Sequence, residues 1–140
     1  MENAMDMNGK IENLIKDLAV IDGFDSTLFD QLVEDTTPEV SIKILARFYE
    51  TLSESLDLVE QGIAKNDADQ VWKACHKVAG SAELLGFAEF GKLSRRLNND
   101  IKSAHQIEPF KTELKGYLEQ GRAVLAKIHQ VFPDHKSYLQ

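Results

Sequence analysis

The chain contains few of the residues that cross-link or interrupt a polypeptide. Its 140 residues include one cysteine and three prolines, and no apolar run reaches the ~18 residues that a membrane-spanning helix needs. The single cysteine, Cys75, cannot form an internal disulfide, and we expect a small buried hydrophobe rather than a reactive thiol. The first residues are acidic and polar, where a secretory signal is basic and then apolar. We therefore expect a cytoplasmic protein.

Positive charge is also scarce, since the formal net charge is -7. A negative chain without basic clusters is repelled by phosphate backbones and by anionic membrane surfaces. We therefore expect protein partners, with no nucleic acid and no membrane. The length is sufficient for one domain with a single core and too short for a nucleotide-binding domain plus a second module.

Alternating apolar residues, the signature of half-buried strands, are almost absent, whereas apolar residues three and four apart recur along the whole chain. Thr37-Pro38-Glu39 has the composition of a helix start, Asp67 with Gln70 offers a capping box, and Gly86 is a natural stop. These patterns predict an all-α fold. Its four long helices would pack as an antiparallel up-down-up-down four-helix bundle, with two extra short N-terminal helices against it.

The predicted domain is one bundle between two tails. Residues 1–9 are expected to form a flexible N-terminal tail and residues 133–140 a C-terminal tail. Residues 10–132 would form the helical bundle, with its core bundle over about 37–132.

The segment of residues 76–86, HKVAGSAELLG, carries most of the functional information. On a helix, Gly80 lies one turn after His76 on the same face, so it removes a side chain that would crowd the imidazole. The apolar stripe of this helix points away from His76, which predicts that the ring faces solvent. An exposed histidine can be an ordinary surface residue, and a helical glycine can also serve tight packing against a neighbouring helix.

Other side chains share this face of the helix. Trp72 could fill a groove between helices or take part in docking. Lys73 and Lys77 could be ordinary solvated charges, or could offset the charge of a phosphoryl group. The candidate charge-stabilising or docking residues around His76 are Trp72, Lys73, Lys77, Gly80, Ser81, Glu83 and Leu84. A helical wheel also places Ala79 on this side.

The segment resembles the phosphoacceptor motif of histidine-containing phosphotransfer (HPt) domains. The positions that fit the motif are His76, Val78, Gly80, Ser81, Ala82, Leu85 and Gly86. The resemblance implies that His76 accepts a phosphoryl group from a receiver-domain aspartate and passes it to a second receiver. It implies, as partners, the receiver domains of a hybrid histidine kinase and of a response regulator. One position departs from the pattern, because family members commonly have a basic residue where this chain has Ala79. Lys73 and Lys77 are the nearest candidates to supply this charge instead, and Arg95 or Arg96 on the next helix could also reach, although sequence alone does not place them.

The resemblance also implies what the chain does not do itself. The receiver would bring the Mg²⁺ and most of the active site, so this chain is expected to bind no cofactor and no metal. No Walker loop or glycine-rich ATP-binding motif is present, so the chain is expected to be a phosphocarrier and not a kinase. A monomer is the simpler expectation.

A helical bundle can also serve two other functions. A helical module could dock receivers without carrying phosphate, and Ala79 is the best argument for it. A carboxylate-bridged di-iron site needs Glu three residues before His. The residues at that spacing before the four histidines are Lys73, Lys102, Ala126 and Phe132, so the metal-bundle function is excluded.

Overall fold

The computed structural model describes residues 4–139, and that part of the chain is helical. Its elements are α1 (Ala4–Leu18), α2 (Ser26–Asp35), α3 (Pro38–Lys65), α4 (Ala68–Leu85), α5 (Ala88–Ala104) and α6 (Lys111–Val131), with 3₁₀ turns at Glu108–Phe110 and His135–Tyr138. Residues 4–139 contain no β-strand, only an isolated bridge between Phe24 and Phe87. This confirms the predicted all-α class. None of the helices within this range has both the length and the apolarity needed to cross a bilayer.

The predicted helix starts are found, with one difference. Thr37 accepts a hydrogen bond from the Val40 amide at 3.1 Å, and proline occupies the first position of α3. Asp67 accepts from the Gln70 amide at 3.1 Å, but only this half of the predicted capping box forms. The Gln70 side chain instead donates to the Leu58 carbonyl at 2.9 Å, because α3 lies within its reach. The contact fastens the start of α4 to α3.

Helix α4 packs most extensively against α5 and α3, while α6 packs against both α3 and α5. Small residues allow these close approaches. A Cβ at Gly62 would lie 2.7 Å from Val71 Cγ2, and a Cβ at Gly121 would lie 2.6 Å from Leu56 Cδ2. The apolar stripes of the helices meet in one continuous core, which holds α4 rigidly.

The loop between α1 and α2 is fixed to the turn between α4 and α5. The Asp25 amide donates to the Gly86 carbonyl at 2.7 Å. Gly86 has φ +101°, and a Cβ there would lie 2.5 Å from the Asp25 carbonyl oxygen. Only glycine fits this combination of positive φ and close backbone approach. Gly86, which ends α4, therefore also anchors the loop between the two N-terminal helices.

Helical structure extends into both segments that were expected to be tails. Residues 1–3 lie outside the described residues, but α1 already begins at Ala4 and Met7 is buried. At the other end, His135 is only 4% exposed, and its Nε2 lies 2.8 Å from Glu50 Oε1. The His135 ring also lies 4.3 Å from the Tyr49 ring, centroid to centroid. The prediction missed this packing because so short a segment has no helical periodicity.

Candidate functional site

His76 lies in the middle of α4 with its side chain exposed to solvent. Its neighbour Cys75 and, two residues on, Val78 are fully buried, so the imidazole points away from the core, as the apolar stripe predicts. Among residues 4–139, no side chain or backbone group hydrogen-bonds the ring. The ring nitrogens are therefore accessible to another molecule.

Gly80 leaves open space beside the imidazole. A Cβ at this position would meet no atom within 4 Å, so tight packing against a neighbouring helix does not explain this glycine. Side chains on a helix lean toward its N-terminus. A side chain at position 80 would thus extend over the turn that carries His76. The tight contact between α4 and α5 is made elsewhere, because a Cβ at Gly91 would lie 2.6 Å from Glu83 Cγ.

The position of Ala79 differs from the one that the helical wheel predicts. The wheel places it on the exposed side, but in the structure it is only 3% exposed. A Cβ at Gly91 would lie 3.4 Å from the Ala79 carbonyl oxygen. The backbone of α4 at this position therefore lies in van der Waals contact with α5, and a longer side chain at so buried a position would have to displace its neighbours. The departure from the family pattern at this position therefore matches the packing.

Trp72 fills part of the groove between α4 and α5. It is half-buried, and its Nε1 donates to Asp69 Oδ1 at 3.1 Å. The Nζ atoms of Lys73 and Lys102 lie 5.6 Å and 5.0 Å from the indole ring centroid, within the range of cation–π contacts. Two ammonium groups from two helices thus gather one turn before His76. The sequence did not indicate Lys102, because it lies on a different helix.

The other predicted neighbours have different environments. Lys77 is exposed, and no carboxylate in the described chain forms an ion pair with it. Lys73 and Lys77 line one side of an open groove of about 510 Å³ between α3 and α4. Ser81 is half-buried, whereas Leu84 is 49% exposed on the same side of α4 as Gly80. Both lysines are therefore solvent-exposed within one turn of His76, and Leu84 exposes apolar surface on the same helix.

Glu83 is paired with a residue that the sequence could only name as a possibility. Arg95 on α5 forms two hydrogen bonds with the Glu83 carboxylate, Nε to Oε2 at 3.3 Å and Nη2 to Oε1 at 2.5 Å. These hydrogen bonds and the charge of Glu83 raise the pKa of Arg95 above its ordinary value. Arg96 turns the other way, with Nη1 2.6 Å from Glu113 Oε2 on α6. Only Arg95 of this pair reaches α4.

Cys75 behaves as a buried hydrophobe, as predicted. Burial raises the pKa of its thiol to about 12, so no thiolate is present at neutral pH. The Tyr117 hydroxyl lies in the same buried region and shares a hydrogen bond of 3.0 Å with Ser94 Oγ. Desolvation raises the pKa of Tyr117 as well. These buried groups belong to the core against which α4 packs, and they cannot act as nucleophiles.

The three remaining histidines do not form a second site. His105 caps the end of α5 in the left-handed region, His129 is exposed near the end of α6, and His135 is buried against Glu50. No cluster of three His, Cys, Asp or Glu residues with the geometry of a metal site occurs within residues 4–139. His76 is thus the histidine that combines exposure with an open approach.

The fold and this site together define a helical bundle that presents one histidine at an uncrowded surface. The family model of the Hpt domain matches residues 43–131, which include most of α3 and the whole of α4, α5 and α6. The match covers more than half of the chain, so the chain belongs to the Hpt domain family. Hpt domains are histidine phosphotransfer modules that interact with receiver domains in phosphorelays. No curated protein and no solved structure matches the chain.

Proposed function

We propose that His76 accepts a phosphoryl group from the aspartate of a receiver domain and passes it to the aspartate of a second receiver. The observation that carries this proposal is the exposed, unpartnered imidazole of His76 beside the open space at Gly80. Both residues belong to the segment matched by the family model. No other histidine in the described part of the chain has this combination.

The chemistry needs little more than position and charge. The lone pair of the unprotonated ring nitrogen attacks phosphorus, a P–N bond forms, and the P–O bond to the aspartate breaks. The electron pair of that bond leaves with the aspartate as a carboxylate, and the other ring nitrogen keeps its proton. Attack by the second aspartate reverses these steps. Positioning and stabilisation of charge supply most of the catalysis in phosphoryl transfer.

Charged side chains of α4 support this role. Lys73 and Lys77 lie within one turn of His76 and are both exposed. The phosphoryl group carries a charge of about -1.5 to -2, by analogy with hydroxyl esters, and nearby ammonium groups offset it. Trp72 holds Lys73 by a cation–π contact. We assign these residues to charge stabilisation and Leu84, with its exposed side chain, to docking.

The partners follow from the chemistry. The phosphoryl donor would be the receiver domain of a hybrid histidine kinase, and the acceptor the receiver domain of a response regulator. Each receiver would supply Mg²⁺ and the remaining catalytic groups, so the chain acts as a phosphocarrier and not as a kinase. A monomer is sufficient for this relay, because His76 and its neighbours belong to one chain.

The proposed arrangement is an up-down-up-down bundle of α3, α4, α5 and α6. Two contacts support opposite directions for α4 and α5. Near the end of α4, Glu83 meets Gly91 early in α5, and near the start of α4, Trp72 meets Lys102 late in α5. The connection from α3 to α4 is only residues 66–67, which favours the same antiparallel order there.

The test is phosphotransfer in vitro. The chain is incubated with a phosphorylated receiver domain and Mg²⁺, and the label on the chain is measured with its acid lability. We expect acid-labile label that His76→Gln abolishes. His129→Gln is the matched control, because His129 is also an exposed histidine on a helix, and it should leave the label unchanged. Label that persists in His76→Gln would refute the assignment.

A docking module that carries no phosphate is the second candidate function. The observation in its favour is the buried Ala79, which occupies the position where family members commonly have a basic residue. This function predicts that receivers bind the chain but transfer no label to it. Binding with no label from a panel of phosphorylated receivers would favour it over the relay.

A further inference from the structure

Arg95 lies level with the phosphoacceptor. On α5, Gly91 packs against Glu83, and Lys102 lies over Trp72, so α5 runs back along α4 between these two contacts. Arg95 comes one turn after Gly91 on the same face of α5. Its backbone is therefore beside the turn of α4 that extends from His76 to Gly80.

The Arg95 guanidinium lies at one edge of the open space. Glu83 follows His76 by seven residues, which at ~100° per residue places the two within about 20° on the helix circumference. Glu83 also follows Gly80 by three residues, so its carboxylate borders the space that the glycine leaves. The two hydrogen bonds from Arg95 to Glu83 hold the guanidinium at that border.

We propose that Arg95 binds the phosphoryl group on His76, and that Glu83 both holds the guanidinium near the site and competes with the phosphoryl group for it. This inference rests on the proposed function of His76. A guanidinium binds carboxylates and phosphates with the same planar pair of donors. The phosphoryl group carries about twice the charge of a carboxylate. The guanidinium thus moves toward the phosphoryl group when His76 is modified.

In the described part of the chain, the other cations near His76 lie elsewhere, and Lys77 lines the groove between α3 and α4. Lys73 and Lys102 gather at Trp72, one turn before His76, and Arg96 is bound to Glu113. Position 79 holds a buried alanine. Arg95 therefore supplies positive charge from the C-terminal side of His76.

The proposal predicts that two variants change the rate of phosphorylation of His76 in opposite directions. Arg95→Ala removes the cation and should slow phosphorylation of His76. Glu83→Gln removes the competing negative charge and should accelerate it, because the guanidinium is then available to the phosphoryl group. A purely structural ion pair gives a different result, since either variant breaks the same pair and should act in the same direction.

The experiment uses potassium phosphoramidate, a small anionic phosphoryl donor that needs no docking partner. The second-order rate constant for phosphorylation of His76 is measured for the wild type, both variants and Arg122→Ala. Arg122 is the matched control, because it forms an exposed ion pair with Glu60 of α3 away from α4. From the strength typical of exposed ion pairs, we expect the rate constant to decrease about two- to five-fold in Arg95→Ala and to increase by a similar factor in Glu83→Gln. Both changes should shrink at high salt.

Three outcomes have distinct meanings. Opposite changes in the two variants, with Arg122→Ala equal to the wild type, support the proposal. Rates in both variants equal to the wild type, or reduced in both, would overturn it while leaving the role of His76 intact. If phosphoramidate phosphorylates the wild type no faster than it phosphorylates the His76→Gln variant, His76 is not the reactive histidine. That result would overturn the proposed function itself. Circular dichroism and thermal unfolding of each variant confirm that the fold is retained.

Discussion

Replacement of Gly80 by alanine should separate the stability of the fold from its function. Gly80 lies inside α4 and is exposed, and an added Cβ meets no atom within 4 Å. Alanine is therefore accommodated without strain, and glycine is the poorer helix former. We expect Gly80→Ala to increase the free energy of unfolding and, at the same time, to decrease the rate of phosphoryl transfer to His76.

The size of the stability change follows from helix propensity. Alanine is about 0.8–1 kcal/mol more favourable than glycine in an exposed helix interior. For a chain of this length, this corresponds to a rise in Tm of roughly 2–4 °C. Urea unfolding followed by circular dichroism measures the change in free energy directly.

Two other glycines provide matched controls for the stability change. Gly116 also lies at an exposed position inside a helix, with no atom within 4 Å of an added Cβ. Gly116→Ala should therefore stabilise the fold to a similar extent. A Cβ at Gly91 would lie 2.6 Å from Glu83 Cγ and 3.1 Å from the Glu83 amide nitrogen. Gly91→Ala should therefore destabilise the fold by about 1–3 kcal/mol.

The effect on phosphoryl transfer depends on side-chain size. A methyl group at position 80 extends toward the turn of His76, and a leucine there covers the ring more fully. We expect transfer from a receiver to fall by about 3- to 10-fold for Gly80→Ala and by roughly 100-fold for Gly80→Leu, since small misplacements of the reacting groups have effects of this size. Gly116→Ala should transfer at the wild-type rate. Transfer that is unaffected by leucine at position 80 would refute the reasoning that this glycine clears the approach to His76.

Three further predictions concern buried groups. The pKa of the Cys75 thiol is raised from 9.0 to about 12, so between these pH values the unfolded chain loses a proton that the folded chain keeps. The free energy of unfolding should consequently fall as pH rises above 9.0, by at most about 1.4 kcal/mol per pH unit. Urea unfolding of Cys75→Ala over the same pH range should show a shallower fall. Equal slopes for the wild type and the variant would contradict the burial of the thiol. Ser94→Ala removes the 3.0 Å partner of the Tyr117 hydroxyl and should lower the free energy of unfolding by about 1–3 kcal/mol, measured by urea unfolding, whereas no loss would mean that the hydroxyl finds another partner. His135→Ala removes the contact with Glu50 and should cost about 1–3 kcal/mol in the same assay; a wild-type value would show that the C-terminal turn contributes nothing to stability.

Much of the fold could be predicted because local signals decide it. Thr37 and Asp67 cap the helices that they were expected to begin, and Gly86 ends α4 in the left-handed region. The exposure of His76 followed from the apolar stripe of the same helix, which includes the buried Cys75. Each of these features depends on residues within a few positions of one another.

The features that could not be predicted depend on how the helices pack. The pairing of Glu83 with Arg95 requires knowledge of the register between α4 and α5. The contact of Lys102 with Trp72 depends on the same register. The burial of His135 requires the position of Glu50, 85 residues away in sequence. A helical wheel of one helix contains none of this information, and it therefore also misplaced Ala79.

The close approach of α4 and α5 explains both the departure at Ala79 and the position of Arg95. Gly91 brings the two helix backbones together, and Ala79 is buried where they approach. The same proximity places Arg95, one turn further along α5, within reach of Glu83 on the surface of α4. Position 79 carries no cation, and α5 offers one close by. On this argument, α5 supplies positive charge on the side of the site where α4 carries none, while Lys73 and Lys77 supply it from α4, and the opposite effects proposed for Arg95→Ala and Glu83→Gln follow from the position of Arg95 beside Glu83.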